Sequence, residues 1–200
     1  MTDMLATVLD LYSMGTFLLP CLVFLLWSRG RGAGGKGYLP WGLVFSFYCF
    51  VAIVQLAGIG TIWDFLDYGK LDVSVNFVPF DSEGVMTYAL NVIMFLPLGF
   101  LLPLLWSGYR RLGKTALTGL GMSVLIEVLQ LFNMRITDLD DLVMNTLGTV
   151  LGYAFWKAFD RLFRHGKGGY PGVTGYDPAL LILLGTVSTF LLYNWRLICH

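Results

Sequence analysis

Charged residues are scarce in this chain. Only 13% of its 200 residues are Asp, Glu, Lys or Arg, whereas soluble domains average about 25%. Hydrophobic residues make up 56%, and the mean hydropathy is +0.71. This composition excludes an ordinary soluble domain and predicts an integral membrane protein. The net charge is zero, and the basic residues are divided among several loops, so we expect no nucleic-acid partner.

Cysteine is also rare, and a basic N-terminal region is missing. Cys21 and Cys49 fall within apolar segments and Cys199 lies next to the end, with no CxxC spacing. We therefore predict neither disulfides nor a cysteine-based metal or redox centre. Because no basic residue precedes the first apolar segment, we expect that segment to remain as a helix rather than to be cleaved as a signal peptide.

Long apolar runs, by contrast, are abundant. A membrane-spanning helix needs about 20 mostly apolar residues, since hydrocarbon offers the backbone no hydrogen-bond partner. The sequence predicts an all-α membrane protein with a single domain over residues 1–200 and no soluble domain. Its first and sixth helices have few polar residues at their centres, so we interpret them as additions to a four-helix core at about 39–159. The six predicted spans are 5–27, 39–62, 88–106, 115–132, 141–159 and 179–195.

The basic residues predict an orientation in the membrane. Ten of the 13 lie in the last turn of the first, third or fifth predicted span or in the loop that follows it. Short basic loops stay in the cytoplasm. We therefore expect a multi-pass protein of the plasma membrane with both termini outside and with external connections after the second and fourth spans.

Polar side chains gather near the predicted outer ends of the core helices. The stretch IEVLQLFNMRITDLDDLVMN holds Glu127 inside a predicted span, where an ionisable residue costs at least ~2.5 kcal/mol and usually faces a bundle interior. Helical spacing places Glu127 and Gln130 on one face, and Asp138, Asp141 and Asn145 on another. We predict an outward-opening pocket that is ringed by Asn76, Asn91, Glu127, Gln130, Arg135, Asp138, Asp141 and Asn145.

The external stretch 64–87 is longer than an ordinary connection, and such loops are usually functional. Within it, residues 71–77 alternate apolar and polar, which indicates an extended segment with one face on an apolar surface. We expect this segment to form a lid above the bundle, with Asn76 directed at water or at the pocket.

Structural roles would also explain many of these residues. Asp138 is a candidate N-cap of the fifth predicted helix, and Glu127 with Arg135 is a candidate salt bridge. Asn91 and Asn145 are candidates for interhelical hydrogen bonds. Asn76 is equally compatible with a turn.

The motifs VNFVPF, NVIMFLPLGF, E-x-x-Q and R-x-x-D-x-x-D-x-x-x-N occur in this order, followed by G-x-x-x-G. In order and spacing they resemble those of VanZ-like membrane proteins. The resemblance implies a four-helix core over about 39–159 and a possible link to resistance against the glycopeptide teicoplanin. Its pattern falls on Asn76, Pro79, Phe80, Asn91, Phe95, Pro97, Gly99, Glu127, Gln130, Arg135, Asp138, Asp141, Asn145 and Gly148.

Three functions fit these features. The first is a non-enzymatic protein whose outward pocket binds a membrane lipid, a lipid-linked envelope precursor or another amphiphile. The second is an enzyme that modifies such a lipid, in which Glu127, Asp138 and Asp141 act as acid and base or hold a divalent cation. The third is a structural or assembly subunit. We predict no other cofactor, and the sequence leaves the oligomeric state open.

Overall fold

The computed structural model describes residues 2–32, 37–69, 75–76, 84–135, 137–164 and 175–199. Its secondary structure is almost entirely helical. The eight α-helices are α1 (Thr2–Gly30), α2 (Tyr38–Phe50), α3 (Ile62–Tyr68), α4 (Val85–Leu105), α5 (Leu112–Gln130), α6 (Leu139–Phe159), α7 (Asp177–Leu192) and α8 (Arg196–Cys199). Short π-helical turns extend α2 (Val51–Leu56) and α6 (Asp160–Arg164), and 3-10 turns precede α5 (Ser107–Tyr109) and follow it (Leu131–Asn133).

Four helical segments in the described part of the chain are long and apolar enough to cross a membrane. They are Met4–Gly30, Tyr38–Leu56, Val85–Leu105 and Leu112–Asn133. The helix α7 is apolar but has only 16 residues. The helix α6 has 21 residues but is less apolar, because it carries acids in its first turn and Asn, Thr and Gly on its packed face. The sequence-based count of six spans thus stays a prediction for these two helices.

The closest helix pair is α4 with α6, and glycines permit the approach. A Cβ added at Gly99 would lie 1.9 Å from the carbonyl oxygen of Thr149, and one at Gly152 would lie 2.0 Å from that of Leu96. A Cβ added at Gly148 would lie 2.4 Å from the carbonyl oxygen of Val92. The two backbones are therefore in direct contact, as expected for small residues spaced four apart. This contact fixes the register of the polar residues one or two turns further out.

The second helical segment ends earlier than the sequence predicted. Its π-helical turn stops at Leu56, and the chain then runs without helix through residues 58–61, whereas the sequence indicated a helix to Ile62. The physical reason is close packing against the end of α5. The backbone N–H of Gly60 donates to the carbonyl oxygen of Leu129 at 3.1 Å, and a Cβ at Gly60 would lie 2.7 Å from the backbone nitrogen of Asn133.

Two short strands pair near the C-terminal end of α5. Val75–Asn76 (β1) pairs in parallel with Thr137–Asp138 (β2), so that Asn76 is opposite Asp138. The other residues of the predicted lid segment, 71–74 and 77, lie outside the described residues. Before it, α3 begins with a capping box in which Thr61 accepts from the backbone N–H of Asp64 and Asp64 accepts from that of Thr61.

Candidate functional site

A cavity of about 570 Å³ lies where the ends of α2, α4, α5 and α6 meet. Its lining has a polar part, called the polar wall below, and an apolar part, called the apolar wall. The polar side chains are Thr87, Asn91, Glu127, Gln130, Arg135, Asp141 and Asn145. The apolar wall consists of Leu56, Ala57, Leu90, Ile93, Met94 and Ile126. Six of the eight residues predicted to ring a pocket thus line this one cavity.

The carbonyl oxygen of Ala57 joins two of the predicted residues. Gln130 Nε2 donates to it at 2.7 Å, and a guanidinium nitrogen of Arg135 donates to it as well. This oxygen is available because the helix has ended at Leu56, so that no residue in a following turn bonds to it. Nearby, the Asn133 side-chain amide donates to the carbonyl oxygen of Gly58 at 2.9 Å. The end of α5 is therefore bound to the unwound segment after α2.

Asn91 and Asp141 connect α4 to α6 across the cavity. The Asn91 side-chain amide donates to the Asp141 carboxylate. This contact agrees with the alternative in which Asn91 is an interhelical hydrogen-bonding residue. Both side chains also line the cavity, so the contact holds a carboxylate at the cavity wall in a fixed position.

Asn145 connects α6 to α5. Its amide nitrogen donates to the Ser123 hydroxyl at 2.9 Å, and the side chain is only 2% exposed. Its Oδ1 has no hydrogen-bond partner among the residues that the structure describes. A buried amide oxygen normally accepts a hydrogen bond. Asn145 is also a residue of the cavity lining, so an acceptor without a partner in the described part of the chain belongs to the polar wall.

Glu127 lies on the polar wall one helical turn before Gln130, and it is 4% exposed. On α5 its neighbours on the same face are Ser123 and Gln130, which hydrogen-bond to other segments. The carboxylate is therefore enclosed by fixed polar groups. Arg135 forms a hydrogen bond with the Ala57 carbonyl, and the salt bridge between Glu127 and Arg135 that the sequence suggested stays a prediction.

Asp138 is not among the described residues that line this cavity. The Asp138 carboxylate accepts from the backbone N–H of Asp140 at 3.0 Å and caps α6, as the capping alternative predicted. Its neighbour Asp140 is buried and accepts from the Tyr88 hydroxyl at 2.9 Å. The backbone of Asn76 lies opposite Asp138, but its side chain is outside the described part.

The apolar wall continues onto the outer surface of the bundle. Leu56, Leu90 and Ile93 line the cavity and are also 63%, 56% and 62% exposed. All three belong to helical segments that are apolar enough to cross a membrane. The cavity thus opens sideways, toward the surface that such helices present to lipid.

Metal-ligating residues are not grouped in the described ranges. No set of three or more His, Cys, Asp or Glu side chains in those ranges lies close enough to hold a metal ion. Of the three candidate ligands, Glu127 and Asp141 line the cavity and Asp138 caps a helix. A divalent cation at these residues stays an untested prediction from the sequence.

Two features of the site were not found from the sequence. One is the Ala57 carbonyl, a backbone acceptor exposed by the early helix end. The available signal was the pair of glycines at positions 58 and 60, since glycines that follow a helix often mark its end. The other is the apolar wall, whose Leu, Ile and Met residues are indistinguishable in sequence from lipid-facing ones.

The fold and the cavity define an integral membrane protein in which polar residues of three helices, α4, α5 and α6, line a laterally open cavity. The chain matches the model of the VanZ/LLP1 family over residues 17–163. This match covers well over half of the chain, so the protein belongs to that family. Neither the comparison with curated proteins nor that with solved structures gives a match.

Proposed function

We propose that this protein is a non-enzymatic binding protein whose cavity takes the head of an envelope lipid or of another amphiphile from the bilayer. The observation that carries the proposal is the lateral opening. The polar wall lies between helices, and the apolar wall includes Leu56, Leu90 and Ile93, which are exposed on the outer surface of helical segments apolar enough to cross a membrane. A ligand with a polar head and an acyl or prenyl tail matches both walls.

The polar wall favours a head group that both donates and accepts hydrogen bonds. Glu127 and Asp141 supply carboxylates, and Asn145 supplies a buried amide oxygen without a partner in the described part of the chain. Arg135 supplies a guanidinium suited to a phosphate or carboxylate. Sugar hydroxyls next to a phosphate, as in a lipid-linked precursor of the cell envelope, present such a combination. The sugar and peptide groups of an acyl-bearing glycopeptide such as teicoplanin also combine donors and acceptors.

The orientation of the chain decides which leaflet supplies the ligand. We propose that α6 and α7 also cross the membrane, giving six spans in the plasma membrane with both termini outside. The positive-inside rule supports this orientation, because the basic residues follow α1, α4 and α6. The cavity then opens at the outer leaflet, where envelope precursors and glycopeptides are found.

Native mass spectrometry of the delipidated protein tests the proposal. The probes are a polyprenyl-diphosphate glycolipid, teicoplanin and, for comparison, phosphatidylcholine. We expect one of the first two to remain bound, and Glu127→Gln to reduce its retention without unfolding the protein. If neither is retained above phosphatidylcholine, the proposal is wrong.

A second variant at the same residue separates a resistance function from binding alone. In a glycopeptide-sensitive bacterium, we expect expression of the wild-type chain to raise the teicoplanin concentration needed to stop growth. Glu127→Ala at the same expression level should abolish this increase. An increase that persists in Glu127→Ala would contradict a role for the cavity in resistance.

A further inference from the structure

A second and larger groove lies at the other end of α5. Its volume is about 1200 Å³, and it runs between the start of α5 and α7. Lys114 and Glu127 are thirteen residues apart on α5, which at ~1.5 Å per residue separates the two sites by roughly 20 Å. The groove shares no lining residue with the cavity around Glu127.

The lining of this groove is basic at one end and apolar along its length. Arg110, Arg111 and Lys114 contribute three positive charges, and no Asp or Glu is among the described residues that line the groove. Burial raises the pKa of Tyr109, which lies beside Lys114, so its hydroxyl adds no negative charge. The apolar part is formed by Leu117, Met122, Leu125, Ile182 and Leu183.

Lys114 is held in place before any ligand binds. Its ammonium donates to the Gly175 carbonyl oxygen and lies 4.4 Å from the ring centroid of Tyr109 and 4.5 Å from that of Tyr176. An ammonium has three donors, so two N–H groups remain beyond the one that Gly175 accepts. Arg111 is exposed beside it and is free to turn toward an anion.

We infer that this groove is a binding site for one anionic phospholipid, with the phosphate against Arg111 and Lys114 and an acyl chain along the apolar part between α5 and α7. Charge complementarity carries this assignment. Basic pockets between membrane helices bind anionic head groups, with about 1 kcal/mol from each Lys or Arg near the surface. Glycine makes room for the chain, since a Cβ added at Gly121 in the groove wall meets no atom within 4 Å.

The test compares phosphatidylglycerol with phosphatidylcholine on the delipidated full-length protein, with retention measured by native mass spectrometry. We expect wild type to prefer phosphatidylglycerol. Arg111→Gln should weaken its binding about fivefold, the value that corresponds to one basic residue. Arg161→Gln is the matched control, because it removes the same charge from an exposed position near the same end and outside the groove.

A second variant tests the path of the acyl chain. An added Cβ at Gly121 meets no atom within 4 Å, and leucine has a higher helix propensity than glycine, so we expect Gly121→Leu to fold and to lose phosphatidylglycerol binding. Equal losses in Arg111→Gln and Arg161→Gln would overturn the assignment, as would unchanged binding in Gly121→Leu. Thermal stabilisation by inorganic phosphate equal to that by phosphatidylglycerol would overturn it too. Asp141→Asn, in the other cavity, should leave this binding unchanged, which separates the two sites.

Discussion

Asp140 and Asp141 are adjacent in the first turn of α6, yet their carboxylates have different partners and surroundings. Asp140 accepts from the Tyr88 hydroxyl at 2.9 Å and does not line the cavity. Asp141 accepts from the Asn91 amide and does line it. Consecutive side chains on a helix point about 100° apart. Asp140 therefore has a structural contact, whereas Asp141 lies where a ligand in the cavity can reach it.

This difference supplies a matched pair of variants. Asp141→Asn should weaken amphiphile binding about tenfold, because hydrogen bonds to charged groups contribute about 1.5–3 kcal/mol and those to neutral groups about 1 kcal/mol. Asp140→Asn makes the same change of charge one residue away and should leave binding within about twofold. Dissociation constants in detergent or nanodiscs measure both. Equal weakening by the two variants would show that only the charge of the helix end matters.

Glu127→Gln separates a binding site from a scaffold. A carboxylate placed for a ligand stabilises function rather than the fold, so neutralising it should leave the unfolding temperature in detergent unchanged or higher while binding falls. Gln130→Ala is the comparison, because it removes the 2.7 Å hydrogen bond to the Ala57 carbonyl. We expect it to lower the free energy of unfolding by about 1 kcal/mol. If Glu127→Gln lowers thermal stability in proportion to function, the polar cluster is a scaffold.

A bulky residue at the cavity mouth tests whether the ligand enters from the bilayer. Ile93→Trp would place an indole at the lateral opening from a position that is already 62% exposed, so the fold should tolerate it. We expect slower association of the amphiphile and weaker retention in native mass spectrometry. Val143→Trp is the control, since Val143 is 49% exposed on α6 outside the cavity. Unchanged association in Ile93→Trp would point to entry from water.

Helical periodicity in the sequence was enough to bring most of the polar residues together. Glu127 and Gln130 share a face of α5, and Asp141 and Asn145 share a face of α6, so any packing of these helices through small residues brings both faces to one cavity. The close contact at Gly148 and Gly152 follows from the same pattern. The spacing of residues within each helix was therefore enough to predict which polar side chains lie on the same face.

The parts that were missed depend on non-local contacts. The π-helical turn after α2 ends at Leu56 because the backbone beyond it packs on Leu129 and Asn133, more than 60 positions away. Asp138 has a spacing that suits both a cap and a ligand, and only the backbone geometry at the start of α6 distinguishes them. Lys114 was assigned only to a basic loop, because its groove requires α7 to lie against α5.

The glycine contact between α4 and α6 predicts a large effect from a single methyl group. Gly152→Ala would place a Cβ 2.0 Å from the Leu96 carbonyl oxygen, which forces the two backbones apart. We expect a loss of about 3 kcal/mol in the free energy of unfolding, at the upper end of typical overpacking costs. The unfolding temperature should fall and cavity binding with it, since the Asn91 to Asp141 hydrogen bond spans the same two helices.

Gly15→Ala is the control for that substitution, because Gly15 lies in α1 and an added Cβ meets no atom within 4 Å. It should leave the unfolding temperature unchanged or slightly higher, as expected for replacing a helical glycine. Equal behaviour of Gly15→Ala and Gly152→Ala would contradict direct backbone contact between α4 and α6.

The proposed orientation is tested by labelling single cysteines in intact cells. In a background where Cys199 is replaced by serine, Val85→Cys at the exposed start of α4 should react with a membrane-impermeant maleimide. Arg31→Cys, exposed after α1, should react only after the cells are opened. The buried Cys21 and Cys49 should contribute little background. The reverse pattern would place the cavity around Glu127 at the cytoplasmic leaflet and the basic groove outside, which would remove the orientation on which an envelope-precursor ligand depends.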